Sequence, residues 1–404
     1  MFKISIFLTL IVLFSVLNVS AQEITRWRGP NGNGVYNETG LLKEWPVDGP
    51  KVIWHFDGIG QGHSSPAFAN GLIYVSGMVE RMGYIHALTP DGKLKWEAPY
   101  AEEFYESYPG SRSTPVIAGE LLYIYSGQGI LTCMSAENGE QKWQVNALEK
   151  YNGDNLRWGV TESVVVDENK VYVTPGGKKH NIVALDRFTG ELIWSSPAEG
   201  ETSAYATPLL IELPERKLLV TNTADHIVGI DSKTGQMLWS HPQTNRYSVH
   251  PNTPIYHDGK IFSFTGYGHG GTMLNLSEDG SNVEEAWFNE TLDSRMGGMV
   301  LIDGFIYGSG DSNREWRSVD WETGEEQYAS KEIGKGAIIA ADGMLYLYSE
   351  RGELALVEAN PENFDLISAA KVELGTAQHW AHPVIHDGRL YVRHGETLIA
   401  YKIK

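Results

Sequence analysis

Large polar and aromatic side chains recur along the chain in short loops that precede strand-like segments. These candidate ligand-binding residues are His63, Arg112, Arg157, Trp158, Tyr205, His250, Asn252, Arg295, Lys335, His379, Trp380 and His382. Acidic residues in the same loops are few, chiefly Glu162, Asp293 and Glu332, although the whole chain has a formal net charge of -19. Because guanidinium groups bind carboxylate, sulfate and phosphate oxygens strongly, this pattern predicts a site for an anionic small molecule, such as an acidic sugar or a quinone.

The same side chains have a structural alternative, in which they hydrogen-bond backbone carbonyls and fill a central channel. A metal site is a weaker hypothesis: His250, His379 and His382 could converge, but the chain contains no HExxH or CxxC pair. The glycine-rich stretch 266–271 is expected to form a tight turn rather than a phosphate site, since no helix is predicted after it. Cys133 lies in a predicted strand and is expected to be buried. No Ser-His-Asp triad can be recognised.

The elements that position these loops are repeats. A turn followed by an apolar pair and usually an aromatic residue occurs eight times. The eight copies end at Tyr74, Tyr123, Tyr172, Val220, Phe262, Tyr307, Tyr346 and Tyr391. Their separations of 39 to 49 positions match the length of a four-stranded propeller blade. The sequence therefore predicts an all-β protein, an eight-bladed β-propeller of four-stranded antiparallel blades.

A second anchor in most repeats is a glycine turn followed four positions later by an aromatic residue. The pairs are Gly92 with Trp96, Gly139 with Trp143, Gly190 with Trp194, Gly235 with Trp239 and Gly324 with Tyr328. The eighth repeat has only three predicted strands and no tryptophan strand. Trp54 precedes Trp96 by 42 positions and is in phase with the series, so the strand at 51–56 is predicted to close the eighth blade and cover its open edge.

Two of these segments resemble a known family. Residues 184–194 (ALDRFTGELIW) and 229–239 (GIDSKTGQMLW) are similar to the tryptophan-docking repeat of pyrroloquinoline-quinone (PQQ) proteins, which include quinoprotein alcohol dehydrogenases and BamB-type outer-membrane assembly proteins. The stretch Trp27-Arg28-Gly29-Pro30 is similar to a widespread group of exported PQQ-like propellers. The resemblance covers nearly the whole chain after its leader and implies the fold, but it leaves open whether the protein is an enzyme.

The resemblance implies two rivals to a simple binding protein. A PQQ- and calcium-dependent dehydrogenase would stack the quinone on Trp158 or Trp380 and ligate calcium with Glu162, Asn252 or Asp293. Such enzymes typically carry two adjacent cysteines over the quinone, whereas Cys133 is the single cysteine here. A BamB-like assembly scaffold would bind envelope proteins instead. Those proteins are lipoproteins, and this chain has no lipid-attachment cysteine.

The first 21 residues are typical of a Sec-type signal peptide: Lys3, an apolar run from Ile4 to Leu17, and Val19-Ser20-Ala21. We therefore expect a periplasmic or secreted protein that is not a lipoprotein and has no membrane span after cleavage. The mature chain is predicted to comprise an N-terminal extension (22–50) and a single propeller (51–404). The strong negative charge argues against nucleic-acid partners, and a monomer is expected.

Overall fold

The computed structural model describes residues 24–404, so the predicted signal peptide lies outside the described residues. The strands in chain order are β1 (Val35–Tyr36), β2 (Val52–Phe56), β3 (Ala67–Ala69), β4 (Leu72–Val79), β5 (Met82–Leu88), β6 (Leu94–Glu102), β7 (Val116–Ala118), β8 (Leu121–Tyr125), β9 (Ile130–Ser135), β10 (Gln141–Asn146), β11 (Val165–Asp167), β12 (Lys170–Val173), β13 (Ile182–Asp186), β14 (Leu192–Ser196), β15 (Leu209–Glu212), β16 (Lys217–Asn222), β17 (His226–Asp231), β18 (Met237–Pro242), β19 (Ile255–His257), β20 (Lys260–Thr265), β21 (Gly270–Leu276), β22 (Val283–Asn289), β23 (Met299–Ile302), β24 (Phe305–Ser309), β25 (Trp316–Asp320), β26 (Glu326–Ser330), β27 (Gly336–Ala341), β28 (Met344–Ser349), β29 (Glu353–Glu358), β30 (Leu366–Lys371), β31 (Val384–His386), β32 (Arg389–His394) and β33 (Thr397–Lys402). One short helix, α1 (Ala147–Tyr151), follows β10.

These strands form eight sheets, which are the blades of a β-propeller, and each blade consists of four antiparallel strands. Four consecutive strands from β3 onward form each of blades 1 to 7, and β1 adds a fifth strand to blade 7 beside β27. Blade 8 contains β31, β32 and β33, and its fourth strand is β2. The predicted fold class is therefore confirmed. None of the helices within residues 24–404 has the length and apolar character needed to cross a bilayer.

The predicted closure is also confirmed. Strand β2 pairs antiparallel with β33, with His55 opposite Ile399 and Phe56 opposite Leu398. The backbone N–H of Lys402 donates to Lys51 O at 2.8 Å and extends the ladder by one more bond. A chain segment from before the first blade thereby completes the last one, so no outer edge of blade 8 is left without its fourth strand.

Tryptophans on the outer strands dock onto the next blade. The indole N–H of Trp143 donates to Arg187 O at 3.1 Å, and that of Trp194 donates to Ser232 O at 3.0 Å. The ring in each case lies against the glycine of the next repeat's turn. A Cβ on Gly190 would lie 2.8 Å from the Trp143 ring. The spaced Gly and Trp residues of the sequence therefore meet between blades rather than within one blade.

This docking predicts different costs for two glycine substitutions. Gly190 and Gly259 share a φ of +74°, but a Cβ on Gly259 would meet nothing within 4 Å. Gly259→Ala should therefore lower the free energy of unfolding by only about 1–2 kcal/mol, the penalty for placing an alanine in the left-handed conformation. Gly190→Ala should cost a further ~1–3 kcal/mol, because the added methyl overlaps the Trp143 ring. Chemical denaturation of both variants measures the difference, and equal losses would contradict the docking role.

A belt of hydrogen bonds joins the lead-in loops, by which we mean the loops that precede the first strand of each blade. The backbone N–H of Ser65 donates to Thr114 Oγ1 at 3.0 Å, and that of Thr114 donates to Ser163 Oγ at 2.9 Å. The N–H of Ser163 donates to Thr207 Oγ1 at 2.9 Å, and Thr253 Oγ1 donates to Thr207 O. The belt fixes the spacing of the lead-in loops around the axis. It therefore also fixes the positions of the side chains that these loops carry.

The N-terminal extension crosses the inside of the ring. Ile24 forms a bridge with Ala118 in blade 2, whereas β1 pairs in parallel with β27 of blade 7. Between these contacts Arg28 is only 5% exposed. We call residues 24–36 the crossing segment. Cys133 is buried, as expected.

Candidate binding site

A cavity of about 430 Å³ lies at the end of the axis where the lead-in loops converge. Its lining is dominated by aromatic and cationic side chains. The lining residues are Trp27, His63, Tyr108, Arg112, Arg157, Trp158, Thr161, Ser163, Tyr205, Thr207, Tyr247, Val249, Pro251, Tyr267, Arg295, Met296, Trp380 and His382. No aspartate or glutamate is among these lining residues of the described chain. The volume is within the ordinary range for a small-molecule site, about 300–1,000 Å³.

The structure brings eight of the twelve predicted residues together around this cavity. They are His63, Arg112, Arg157, Trp158, Tyr205, Arg295, Trp380 and His382. They come from the lead-in loops of six different blades, which explains why no local motif marks the site. Their convergence follows from the ring of eight sheets.

Two of the remaining four predicted residues are used for structure. His250 is fully buried, with Nδ1 at 2.9 Å from Thr265 Oγ1 and Nε2 at 3.0 Å from Ala224 O. Asn252 donates to Ser294 O at 2.7 Å and accepts from Gly298 N at 3.2 Å, linking blades 5 and 6. Neither residue lines the cavity. The structural alternative, in which polar side chains bond backbone groups of neighbouring blades, therefore describes this pair.

The other two, Lys335 and His379, lie in a small neighbouring pocket. Lys335 forms ion pairs with Asp311 and Glu350. His379 Nδ1 lies 2.6 Å from the Tyr348 hydroxyl, and its ring stacks on that of His394 at 3.8 Å. Both side chains are therefore engaged in contacts within the protein.

Sequence reasoning did not select three aromatic residues that line the cavity: Trp27, Tyr108 and Tyr247. Trp27 comes from the crossing segment and forms the floor, with its ring 5.1 Å from that of His382. The tyrosines follow no repeat period. The Trp-Arg-Gly-Pro stretch is the sequence signal that could have indicated Trp27, but it indicated only a similarity to exported PQQ-like propellers.

Three cavity tyrosines have an unusual backbone conformation. The φ angles are +49° for Tyr108, +75° for Tyr205 and +64° for Tyr267. Bulky residues rarely occupy this left-handed region, which costs each of them about 1–3 kcal/mol. Such strain persists where surrounding structure enforces it, and it is concentrated in functional sites. The conformation directs three phenol rings to one cavity.

The aromatic rings form two groups. In the first, Trp158 lies 6.3 Å from both Tyr205 and Tyr247, and Tyr247 lies 4.8 Å from Tyr267. In the second, Trp380 lies 5.0 Å from His63 and 4.8 Å from Tyr108. Two apolar walls of this kind can bind a flat molecular face by stacking.

The three arginines differ in how far the protein neutralises them. Arg295 pairs with Glu350 at 3.2 Å and Asp311 at 3.6 Å. Arg112 donates through Nη2 to Ser107 O at 2.8 Å and Tyr108 O at 2.7 Å, but its buried Nη1 has no partner among the described residues. Burial lowers the pKa of Arg112.

Arg157 is exposed and lies over the Trp158 ring, with its guanidinium carbon 4.8 Å from the ring centre. The guanidinium of Arg157 is therefore the cationic group that is exposed at the cavity, whereas Nη1 of Arg112 is a buried donor without a partner among the described residues.

Both cavity histidines are neutral, because each is buried beside arginine. Burial and the nearby Arg393 and Arg112 lower the pKa of His63 to about 3, and neither of its buried ring nitrogens has a partner among the described residues. His382 accepts from Arg28 Nη1 through Nδ1 at 2.9 Å, so its Nε2 carries the proton donated to Met296 O at 2.9 Å. Burial, and then Arg28, lower the pKa of His382 to about 3. Both ring nitrogens of His382 are thus hydrogen-bonded, whereas both ring nitrogens of His63 are buried and unpartnered among the described residues.

The residues suggested for calcium do not fit that ion. Both carboxylate oxygens of Glu162 accept hydrogen bonds from Thr174. The Asp293 carboxylate accepts from the backbone N–H groups of Gly268, 311 and 312. Among the described residues no cluster of three or more His, Cys, Asp or Glu side chains could hold a metal. The cavity therefore has the stacking faces and arginines that a quinone would need, but it does not have the carboxylate oxygens for calcium.

The chain is similar to proteins of known classes. A family model described as outer membrane protein assembly factor BamB matches residues 46–153 and 150–363. The BamB of Kangiella koreensis is 29% identical over 139 residues, which are 33% of this chain and 32% of that protein. The BamB of Burkholderia pseudomallei is 26% identical over 168 residues, 41% of this chain and 40% of that protein. The matched stretches thus span less than half the length of these relatives.

Solved structures show the same fold at low identity. The BamB of Moraxella catarrhalis has a TM-score of 0.63 and 14% identity, and the match covers 88% of this chain and 98% of that one. The quinohemoprotein alcohol dehydrogenase of Comamonas testosteroni has a TM-score of 0.66 and 13% identity, with 92% of this chain and 79% of that one covered. Both an assembly factor and an enzyme therefore share the propeller, and the fold alone does not separate their activities.

Proposed function

The chain belongs to the PQQ-repeat propeller family described as outer membrane protein assembly factor BamB, and we propose that it is an exported binding protein whose axial cavity takes an anionic small molecule. One observation carries the proposal. Arg112 and Arg157 place guanidinium groups in the lining of an aromatic cavity that has no carboxylate among its lining residues in the described chain, and Nη1 of Arg112 is unpartnered. The lining of the cavity is thus positively charged, although the whole protein has a formal net charge of -19.

Electrostatics supports an anion as the ligand. An arginine about 4 Å from a ligand anion contributes about 4 kcal/mol before desolvation, at an effective dielectric constant near 20. The surrounding aromatic walls exclude water on two sides and add stacking contacts. A cationic ligand would find no counter-ion in the lining and would face two or three guanidinium groups. The cavity therefore selects negative charge.

The arginines provide a direct test. We expect Arg112→Gln to weaken anion binding about 30-fold, equivalent to about 2 kcal/mol, because it removes the buried free donor. Arg157→Gln should weaken binding about three- to tenfold, since Arg157 is exposed. Calorimetric titration with sulfate, phosphate, glucuronate, benzoate and PQQ measures both effects. Absence of binding by every probe would overturn the proposal.

Arg246 is a matched control. Its guanidinium carbon lies 4.5 Å from the centre of the Tyr247 ring, much as Arg157 lies over Trp158, but Arg246 does not line the cavity. Arg246→Gln should leave affinity unchanged within about twofold. If Arg246→Gln and Arg157→Gln weaken binding equally, the loss of affinity comes from the change in the protein's net charge and not from a contact in the cavity.

The names of the matched relatives favour a second candidate, a scaffold that binds envelope proteins. Propeller rims and sheet edges can accept partner strands or loops. Affinity capture from envelope extracts distinguishes the two candidates when wild type and Arg112→Gln are compared. Recovery of outer-membrane assembly proteins by both baits, with no anion bound by either, would favour the scaffold. A dehydrogenase is less well supported because the suggested calcium ligands are engaged elsewhere.

A further inference from the structure

We propose that the ligand is an acidic saccharide, a small sugar that carries an anionic group beside ring hydroxyls. This inference rests on the proposed function and narrows its ligand class. Its starting point is a polar corner of the cavity formed by His63 and Arg112. Both residues line the cavity, and both have buried nitrogen atoms without a partner among the described residues.

A ligand bound at this corner must supply a hydrogen-bond donor as well as hydrogen-bond acceptors. His63 faces Arg393 and Arg112, and its ring is buried, so the imidazole is neutral. A neutral imidazole presents one N–H donor and one bare nitrogen acceptor. Arg112 Nη1 presents donors only. The matching ligand group therefore offers acceptors to Arg112 and to one His63 nitrogen, and an O–H or N–H to the other.

A sugar acid meets this demand and an aromatic carboxylate does not. An ionised carboxylate on an aromatic ring only accepts hydrogen bonds, so it would leave the bare nitrogen of His63 buried and unsatisfied, which is costly. A sugar hydroxyl donates and accepts at the same atom. A carboxylate or sulfate next to a hydroxyl can therefore satisfy Arg112 and both nitrogens of His63 together.

The walls of the cavity suit a sugar ring. Trp380 and Tyr108 lie on the His63 side, and Trp158 with Tyr247 and Tyr267 lies across the cavity. The C–H face of a pyranose packs against such rings, while its edge hydroxyls remain free for polar groups. The cavity of about 430 Å³ is open at the propeller face and accommodates a small saccharide.

Three probes separate the possibilities: glucuronate, glucose and benzoate. Calorimetric titration of the wild-type protein should show that glucuronate binds at least about tenfold more tightly than the other two, because only glucuronate offers both charge and a hydroxyl donor. If benzoate binds in an Arg112-dependent manner and glucuronate does not, this inference is wrong while the proposed function stands. If none of the anions binds, the proposed function fails first.

Substitution of His63 gives the second readout. His63→Leu should lower glucuronate affinity at least about tenfold and leave benzoate affinity within about twofold. His63→Gln retains a donor and an acceptor and should restore glucuronate binding to within about threefold. An equal loss for both probes would overturn the inference. Should His63→Leu fail to fold, the order of the three probes on the wild-type protein still decides the question.

Discussion

Trp54→Ala is expected to lower the free energy of unfolding by about 3 kcal/mol, the lower end of the range for deleting a core tryptophan, because Trp54 is half-buried. The Trp54 indole N–H donates to Pro90 O at 3.0 Å, and a Cβ on Gly92 would lie 2.6 Å from the ring. The ring also contacts Tyr391 of blade 8 at 5.9 Å. Trp54 therefore joins the last blade to the first, and denaturant unfolding measures its contribution.

Two variants separate this effect from the loss of any side chain. Ile53 lies on the same strand and is 42% exposed, so Ile53→Ala should cost less than about 1 kcal/mol. Trp143→Ala removes an equivalent docked ring, since Trp143 bonds Arg187 O and faces Gly190. Its loss of stability should be similar, but β2 remains paired. Only Trp54→Ala should free β2, expose the edge of β33 and increase self-association at high concentration. Equal stability of Trp54→Ala and wild type would refute the closure as a major interaction.

Arg28→Met is expected to lower the free energy of unfolding by about 2–3 kcal/mol and to loosen the floor of the cavity. The guanidinium donates to Met299 O at 2.6 Å, to Gly297 O at 3.5 Å and to His382 Nδ1 at 2.9 Å. Its removal leaves these buried acceptors without a donor, although the desolvation cost of a buried cation is removed as well. Thermal unfolding and limited proteolysis of the crossing segment measure the two effects.

Arg26→Met is the matched control for Arg28→Met. Arg26 is an exposed residue on the same crossing segment, so its replacement should change stability by less than about 0.5 kcal/mol. The proteolysis rate of the segment should also stay at the wild-type value. Similar sensitivity of both variants to protease would show that Arg28 does not hold the segment.

The contact between Arg28 and His382 also makes the stability of the protein depend on pH. The folded pKa of His382 is lowered to about 3 from an ordinary value of 6.5, by burial first and Arg28 second. Between these two values the unfolded chain binds a proton at this residue that the folded chain does not. The resulting stability is fully present above pH 6.5 and is lost as the pH falls toward 3. Because Arg28→Met removes the second cause, the variant should lose less stability than wild type between pH 6 and pH 4.

Much of the fold could be predicted because each blade repeats the same local signals. The turn, the apolar pair and the outer aromatic residue are close together in the chain, and each acts through its own hairpin. The position of Trp54 in this series was enough to predict that β2 joins β33. The lead-in loops follow from the same periodicity, since every blade presents its loop to the same end of the axis. The position of the cavity was therefore predictable, as was its cationic character.

The sequence by itself determined the eight sheets, their closure and the loops that meet at the axis, because these depend on short-range patterns in a regular series. Only the tertiary structure decided which side chains remain open to a ligand. His250, Asn252 and Lys335 are satisfied by partners from other repeats, and Arg295 is neutralised by Asp311 and Glu350. Hydrogen bonds and ion pairs of this kind join residues distant in the chain, and a rotation of one side chain can exchange them. The path of residues 24–36 across the ring is likewise set by long-range contacts, so no local pattern encodes it.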